Sequence, residues 1–392
     1  MSYIFVTQSS ELRDLVWRLR DAPAIAYDTE FVSEGQYSSL LCLIQVAAGD
    51  IQAIIDPLAI SDLSPFWNLI CADGHETIVH ACRCEMEFCH RAIGSFPKRL
   101  FDVQLAAAFT EAEYPIGFRS LLDRTLHIDL PKDESRTAWH KRPLTVQQVE
   151  YAIGDVLYLE RIANVQKQQL LQTQRLSWYE SEILELQARL SHDFTNSRWQ
   201  RISKASSLNS RELAILREVW VWRDHVAKRL NMPVQRFLRD DLLIELARRK
   251  TSDPKRIAAV RGFQRPDLAR CIPEISDAVE YALKLPLENL PKTSSRYSYP
   301  QYSVITQFLY AAVSSLCRKE HIALQLVAGP NDIREFIAAE LGTIAPNLEP
   351  RLNSGWRAEF IGNLLRDLLS GKTAIEINPR TPEDPLLFTS KK

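Results

Sequence analysis

The sequence lacks any long hydrophobic run. No window of its 392 residues approaches the ~18 uninterrupted apolar residues that a transmembrane helix needs. The first residues, MSYIFVTQSSELRDLV, lack the basic start, the apolar stretch and the cleavage site of a signal peptide. With 46% hydrophobic and 25% charged residues, the composition is that of a globular protein. We therefore expect a protein that makes no membrane contact and stays in the cytoplasm.

Paired cysteines are missing as well. The seven cysteines are odd in number and thinly spread, which argues for reduced thiols in a cytosolic compartment. The chain also lacks an overall charge of one sign, since its net charge is -1. The distribution is uneven, however, because fifteen Lys and Arg outnumber eight Asp and Glu between Leu208 and Arg270. This excess fits either a nucleic-acid grip or a solvated helical surface.

The length and the pattern of apolar residues predict three modules. Residues 1–200 alternate short apolar stretches with helical patterns, which indicates a mixed α/β domain. After a Ser-rich linker, two small all-helical modules are predicted at residues 208–287 and 300–378, separated by a break rich in Pro and Ser. In the first module the predicted strands are Ala24–Phe31, Leu40–Ala47, Gln52–Ile55 and Thr77–Val79. The predicted helices are Leu12–Leu19, Arg83–Ile93 and Phe101–Phe109.

The heptapeptide IAYDTEF at residues 25–31 is the strongest local signal of chemistry. Side chains alternate across a strand, so Asp28 and Glu30 lie on one face while Tyr27 and Phe31 lie on the other. Two neighbouring carboxylates on an apolar strand repel each other, and a divalent cation such as Mg²⁺ or Mn²⁺ would remove that penalty. The alternative is a strand end at which two acids are solvated.

A second signal is YAIGDVLYLE at residues 151–160. Tyr151 and Asp155 are four residues apart and therefore lie on one face of a helix. A phenol next to a carboxylate can orient a metal-bound water, and a tyrosine with an ordinary pKa near ~10 is a poor base, so orientation is the expected role. Such pairs also occur in many helices by chance.

Residues 80–90 read HACRCEMEFCH and at first suggest a metal cluster. The cysteines lack the spacing of structural zinc sites, and on a helix they fall on the apolar arc, where they are expected to be small core residues. Glu85 lies near the middle of that arc. Because a lone carboxylate on an apolar face needs a partner, Glu85 is the one residue of this stretch that points to chemistry.

Five stretches resemble, in order and spacing, the motifs of ribonuclease D, a family of DEDD exonucleases whose third motif contains a tyrosine: DTEF at 28–31, HAxxxE at 80–85, FDVQLAAAF at 101–109, SRTAWHKRPL at 135–144 and YAIGDV at 151–156. The segment from Leu208 to Leu285 resembles the helical HRDC domain of RecQ-type helicases and ribonuclease D, and Tyr302 to Leu369 resembles a degenerate second copy. The resemblance implies a ribonuclease-H-like mixed sheet flanked by helices, followed by two small helical domains.

The resemblance also implies an activity, namely a 3′→5′ exoribonuclease that uses two divalent cations and releases nucleoside 5′-monophosphates from single-stranded RNA 3′ ends, such as those of tRNA precursors. In the roles carried over to this sequence, Asp28 bridges both cations, Glu30 and Asp155 hold the first, and Tyr151 orients the attacking water. The fourth family ligand is an aspartate, and this sequence has Glu85 in its place. The resemblance therefore implies that Glu85 shares the second cation with Asp28.

Contacts to the substrate are expected before the helix that carries Tyr151 and in the neighbouring motifs. Cations next to an aromatic side chain suit a phosphate backbone with a stacked base. Asp102 in FDVQ is expected to be structural rather than a further metal ligand. The protein is expected to be a monomer. The expected substrate-binding residues are Lys132, Arg136, Trp139, His80 and Gln104.

Two other functions remain compatible with the sequence. A DNA 3′→5′ exonuclease would use the same carboxylates. A preference for RNA over DNA requires a contact to the 2′-hydroxyl group, and the sequence does not reveal which residue would make it. A non-catalytic RNA-binding protein with a decayed site would explain Glu85. The correct spacing of the other four site residues speaks against that second alternative.

Overall fold

A six-stranded mixed sheet forms the centre of the N-terminal domain, with strand order β1-β4-β3-β2-β5-β6. The computed structural model describes residues 3–111, 113–130, 137–195, 198–291, 299–344, 348–381 and 383–390. Strand β3 is antiparallel to β2 and β4, whereas the pairs β1–β4, β2–β5 and β5–β6 are parallel. The strands are β1 Ile4–Val6, β2 Ala24–Val32, β3 Leu40–Ala48, β4 Ile51–Ile55, β5 Glu76–Val79 and β6 Leu100–Asp102.

Among the residues of this domain that the structure describes, eight α-helices surround the sheet. The four predicted strands and the predicted helix Arg83–Ile93 are confirmed. The predicted helix Phe101–Phe109 is wrong at its start, because Leu100–Asp102 pairs with β5 as an edge strand. The helices are α1 Ser9–Leu19, α2 Ser64–Ile70, α3 Arg83–Ile93, α4 Val103–Ala107, α5 Phe118–Leu126, α6 Val146–Leu157, α7 Leu159–Gln172 and α8 Leu176–Thr195.

The second module is helical and has a hydrophobic core of its own. That core begins before the predicted start at residue 208, because Trp199, Ile202 and Ala205 are buried in it. The helices are α9 Ser210–Arg229, α10 Val234–Phe237, α11 Asp240–Arg249, α12 Pro254–Ala258, α13 Pro266–Ala269 and α14 Ile272–Lys284.

The third module shares its core with the N-terminal domain. The ring of Trp356 stacks on Trp178 of α8 with centroids 5.3 Å apart, and the buried residues of both regions form one hydrophobic cluster. The module ends in a two-stranded hairpin that the sequence did not predict. Its elements are α15 Ser303–Lys319, α16 Leu324–Val327, α17 Pro330–Glu340, α18 Gly355–Arg357, α19 Asn363–Leu369, β7 Thr373–Ile377 and β8 Leu386–Ser390, with a π-helical turn at Ala358–Gly362.

Strand β2 is paired along one edge, paired only at its start along the other edge, and covered by a helix on one face. Strand β2 pairs with β5 only through Ala24–Ala26, whereas it pairs with β3 from Ala26 to Val32. On the face that carries Tyr27 and Phe31, β2 is covered by α3: the Tyr27 hydroxyl lies 3.4 Å from the Cys89 thiol, and Phe31 packs against Phe88. The second half of β2 therefore combines a helix-covered face, a paired edge and a short unpaired edge.

The loop between β2 and β3 joins the first module to the second. The hydroxyl of Tyr37 donates to Asp224 Oδ2 at 2.8 Å, and the backbone N–H of Tyr37 donates to Asn231 Oδ1 at 3.3 Å. Asp224 lies in α9, and Asn231 lies in the turn that follows α9.

Within the described residues, no helix has the length and apolar character needed to span a bilayer.

Candidate active site

Three carboxylates from two elements meet on one face of the sheet. Asp28 and Glu30 lie on β2, and Asp155 lies on α6, which packs across β2 and β3. One carboxylate oxygen from each of the three lies within 4.8 Å of the other two. The start of α6 is fixed by a capping box in which the Thr145 hydroxyl accepts from the Gln148 N–H and the Gln148 side chain accepts from the Thr145 N–H.

Asp28 is held by Gln45, a neighbour that is not among the predicted site residues. Gln45 of β3 lies directly opposite Asp28 in the sheet, and its Nε2 donates to Asp28 Oδ2 at 2.7 Å. Burial raises the pKa of Asp28 to about 7, against the opposing hydrogen bonds from the Thr29 N–H and the Gln45 amide. The signal for Gln45 was available, because it is the one polar residue in the apolar strand LLCLIQVAA.

Tyr151 lies one turn before Asp155 on α6 and packs against Trp139. Their ring centroids are 6.1 Å apart, with an angle of 40° between the rings. The side chain of Trp139 is only 1% exposed, so its ring cannot stack on an incoming base in this conformation. In this structure Trp139 therefore supports Tyr151, and a direct contact of Trp139 with substrate stays a prediction.

Glu85 comes from the other side of β2. It is 4% exposed in the first turn of α3, and its Oε1 accepts a 2.8 Å hydrogen bond from the hydroxyl of Thr29. Burial and then the charge of Asp28 raise the pKa of Glu85 well above its ordinary value. Glu85 is not a member of the group formed by Asp28, Glu30 and Asp155, so any ion that it holds would be shared with Asp28 outside that group.

Asp102 is structural, in agreement with the expectation from the sequence. Its carboxylate accepts from the backbone N–H groups of Ala81, Cys82 and Gln104 at 3.0, 2.9 and 2.9 Å. Ala81 has a φ of 63°, a conformation that costs energy for a residue with a Cβ. Asp102 thus stabilises the turn from which α3 starts and so sets the position of Glu85.

His80 and Gln104 converge on one carbonyl oxygen. His80 Nε2 lies 3.0 Å from the carbonyl oxygen of Ile116, and Gln104 Nε2 donates to the same atom at 2.8 Å. Both side chains are partly exposed. Their contacts fix the segment before α5, and contact with substrate remains a prediction for both.

Two of the predicted substrate residues, Lys132 and Arg136, lie outside the described residues. Further along the same motif, Arg142 is engaged within the protein. Its guanidinium donates to both carboxylate oxygens of Asp56 at 2.5 and 2.8 Å and to the carbonyl oxygens of Trp139 and Cys42. This bidentate pair anchors the motif to the sheet and keeps Trp139 beside α6.

The comparisons with known proteins agree with this arrangement. A family model described as a 3′–5′ exonuclease matches residues 3–170, and the HRDC domain model matches residues 212–279. The exonuclease match covers β1 through most of α7 and includes all three clustered carboxylates.

Relatives match over nearly the whole chain. Ribonuclease D of Gluconacetobacter diazotrophicus is 30% identical over 383 residues, which cover 96% of this chain and 95% of the relative. Ribonuclease D of Bartonella henselae is 29% identical over 371 residues, with 94% and 90% covered. The crystal structure of Escherichia coli RNase D, described as an exoribonuclease involved in structured RNA processing, superposes with a TM-score of 0.79 at 29% identity and covers 95% of this chain and 99% of its own. The chain therefore belongs to the ribonuclease D family of hydrolytic 3′–5′ exoribonucleases.

Proposed function

We propose that this protein trims the 3′ ends of structured RNAs, including tRNA precursors, with two divalent cations, Mg²⁺ or Mn²⁺. The observation that carries the proposal is the convergence of Asp28, Glu30 and Asp155 to within 4.8 Å. Carboxylate oxygens are hard ligands that suit these cations, and three of them this close repel one another unless a cation lies between them. The first cation would be held by this group and the second by Asp28 with Glu85.

The bound cations would supply a nucleophilic water at neutral pH and would stabilise the leaving 3′-oxygen. The chain itself supplies position. Tyr151 would orient the attacking water, and the buried ring of Trp139 restricts where the tyrosine ring can lie. Gln45 fixes the plane of the Asp28 carboxylate through its 2.7 Å hydrogen bond, so that this ligand does not have to be ordered when the cations bind.

The second module offers a basic cleft to the RNA backbone. Arginines there are partly neutralised: Arg239 pairs with Asp241, and Arg249 pairs with Glu245. Lys204 also lines the cleft. Among the described residues, no carboxylate lies within ion-pair distance of Lys204 or of Arg261. The basic residues of the cleft are Lys204, Arg239, Arg248, Arg249, Arg261 and Arg265.

Neutralising two of these cations should weaken RNA binding without changing the chemical step. For Lys204→Gln with Arg261→Gln we expect the slope of log affinity against log salt to fall by about 1 to 2, because each phosphate contact accounts for about one unit. Binding is measured by anisotropy with a 3′-tailed RNA hairpin at several salt concentrations. Arg318→Gln with Lys319→Gln, two exposed cations on α15, is the control of equal charge change; an equal loss there would refute a local role of the cleft.

Metal binding should depend on pH because of Asp28. Its pKa of about 7 in the metal-free protein means that a proton must leave before the carboxylate can serve as a full ligand. For the first cation, held by Asp28, Glu30 and Asp155, we expect the Mn²⁺ affinity to rise about tenfold per pH unit below pH 7 and to level off above it. Calorimetric titrations from pH 6 to 8.5 test this, with proton release compared in two buffers. An affinity that is constant below pH 7 would contradict it.

A degradation assay tests the proposed function against both alternatives. Purified protein with Mn²⁺ or Mg²⁺ is given 5′-labelled single-stranded RNA, the same sequence as DNA, and a precursor tRNA with a 3′ extension. We expect stepwise shortening of the RNA and of the tRNA extension, with nucleoside 5′-monophosphates as products. Faster degradation of DNA would favour the DNA exonuclease, and intact RNA with retained binding would favour a decayed site.

All seven cysteines are free thiols, which supports a cytoplasmic location. We also propose that the protein acts as a monomer, and light scattering coupled to gel filtration measures this directly.

A further inference from the structure

Glu85 is one methylene longer than the aspartate that the family resemblance implies, and the structure shows what restrains the longer side chain. A glutamate has one more rotatable bond than an aspartate, so ordering its side chain costs more rotamer entropy. A ligand that must be ordered when the ion arrives binds it more weakly. Glu85 therefore needs partners in the protein that hold its carboxylate in one place.

Thr29 is in a position to do this. It lies between Asp28 and Glu30 in the chain, but its side chain points to the opposite face of β2, the face covered by α3. Its hydroxyl donates to Glu85 Oε1 at 2.8 Å, and both residues are buried. Because threonine is branched at Cβ, its χ1 angle is restricted, which makes the hydroxyl a fixed donor.

Burial provides the second restraint. The side chain of Glu85 is buried in the first turn of α3, and close packing limits the rotamers that it can adopt. The Thr29 hydroxyl donates to Oε1, which leaves the other oxygen, Oε2, outside this hydrogen bond.

From this geometry we propose that Thr29 is the positioning residue of the second cation site, which it serves by holding Glu85 so that Oε2 is presented to an ion shared with Asp28. The inference rests on the proposed two-cation function. It assigns Thr29 no contact with substrate. It also explains how a glutamate can occupy this position without loss of the site, because Thr29 restricts the motion that the extra methylene would otherwise allow.

The test is an isothermal calorimetric titration of the metal-free protein with Mn²⁺ at pH 8. For the unchanged chain we expect two bound ions. Thr29→Val should weaken the second ion about tenfold, the typical effect of removing a hydrogen bond to a ligand, and should leave the first within a factor of two. Thr29→Ser, which keeps the hydroxyl, should restore the second ion. The Mn²⁺ concentration for half-maximal rate should rise with Thr29→Val, while kcat at saturating Mn²⁺ is retained.

Thr77→Val is the matched control. Thr77 on β5 is 1% exposed and donates to the Ile70 carbonyl oxygen at 3.2 Å, so the variant loses a buried hydroxyl of the same kind away from the carboxylates. It should bind both ions normally. Equal weakening in this control, or an unchanged second ion in Thr29→Val, would overturn the role of Thr29.

A double variant separates this inference from the proposed function. Glu85→Gln should remove the second ion, and Thr29→Val added to it should change nothing further. If the unchanged chain binds fewer than two ions, the two-cation function fails and the role of Thr29 fails with it. If the unchanged chain binds two ions and Thr29→Val binds them equally well, only the role of Thr29 fails.

Discussion

Asp155→Asn should lower kcat by about a thousandfold or more while leaving the fold intact. The carboxylate of Asp155 lies within 4.8 Å of those of Asp28 and Glu30, and the amide would keep the shape of the side chain but not its charge. The first cation would lose one of three anionic ligands. In the metal-free protein the change relieves repulsion, so the melting temperature should stay equal or rise.

The measurement combines single-turnover degradation of a 3′-tailed RNA in Mn²⁺ with thermal melting by circular dichroism. Glu150→Gln is the matched control, because Glu150 is an exposed carboxylate on the same helix α6. It should retain activity close to that of the unchanged chain. Substantial activity in Asp155→Asn would remove Asp155 from the site, and equal inactivity in Glu150→Gln would show that any charge change on α6 has this effect.

Elements with a clear apolar period could be predicted from the sequence, and very short ones could not. Strands β2 and β3 have nine residues each, and helix α3 was predicted with its observed bounds because its apolar arc spans three turns. Strands β1 and β6 have only three residues each, too few for a period to emerge. Their place in the sheet is decided by pairing with β4 and β5, which no local pattern contains.

The carboxylates of the candidate site could be predicted better than the residues that hold them. Asp28, Glu30 and Glu85 stand out because a carboxylate on an apolar face is unusual wherever it occurs. Gln45 and Thr29 are uncharged and fit ordinary strands, so their contacts with these carboxylates appear only when the register of β2 with β3 and the packing of α3 are known. Register and packing depend on residues far apart in the chain.

The exposure of an aromatic residue was the least predictable property. Trp139 lies between basic residues in a polar motif, which suggested a surface for base stacking. In the structure it is buried against Tyr151, and the bond from Arg142 to its carbonyl oxygen helps to hold the segment there. Burial in the third module likewise depends on contacts that are distant in the chain, because its core is completed by residues of the first domain.

Arg357→Met should destabilise the protein by about 3–5 kcal/mol, the usual cost of removing one partner from a buried ion pair. Arg357 is 4% exposed and donates to Glu182 Oε1 of α8 at 2.6 Å and to the carbonyl oxygens of Leu326 and Val327. Burial alone would raise the pKa of Glu182, but the hydrogen bond and charge of Arg357, together with the charge of Arg351 and the hydrogen bond from Trp356, outweigh it and lower the pKa. Without Arg357, a buried carboxylate loses its main partner.

Calorimetric melting compares Arg357→Met with Arg351→Met and with the double variant Arg357→Met, Glu182→Leu. Arg351 is the outer partner, 3.4 Å from Glu182 with a side chain 32% exposed, so its loss should cost no more than about 1 kcal/mol. The double variant removes both buried charges and should regain a large part of the loss, because an apolar pair can replace a buried ion pair. A double variant as unstable as Arg357→Met would mean that the arginine acts through the carbonyl groups of Leu326 and Val327, and that the third module is held by backbone bonds rather than by the charge of Glu182.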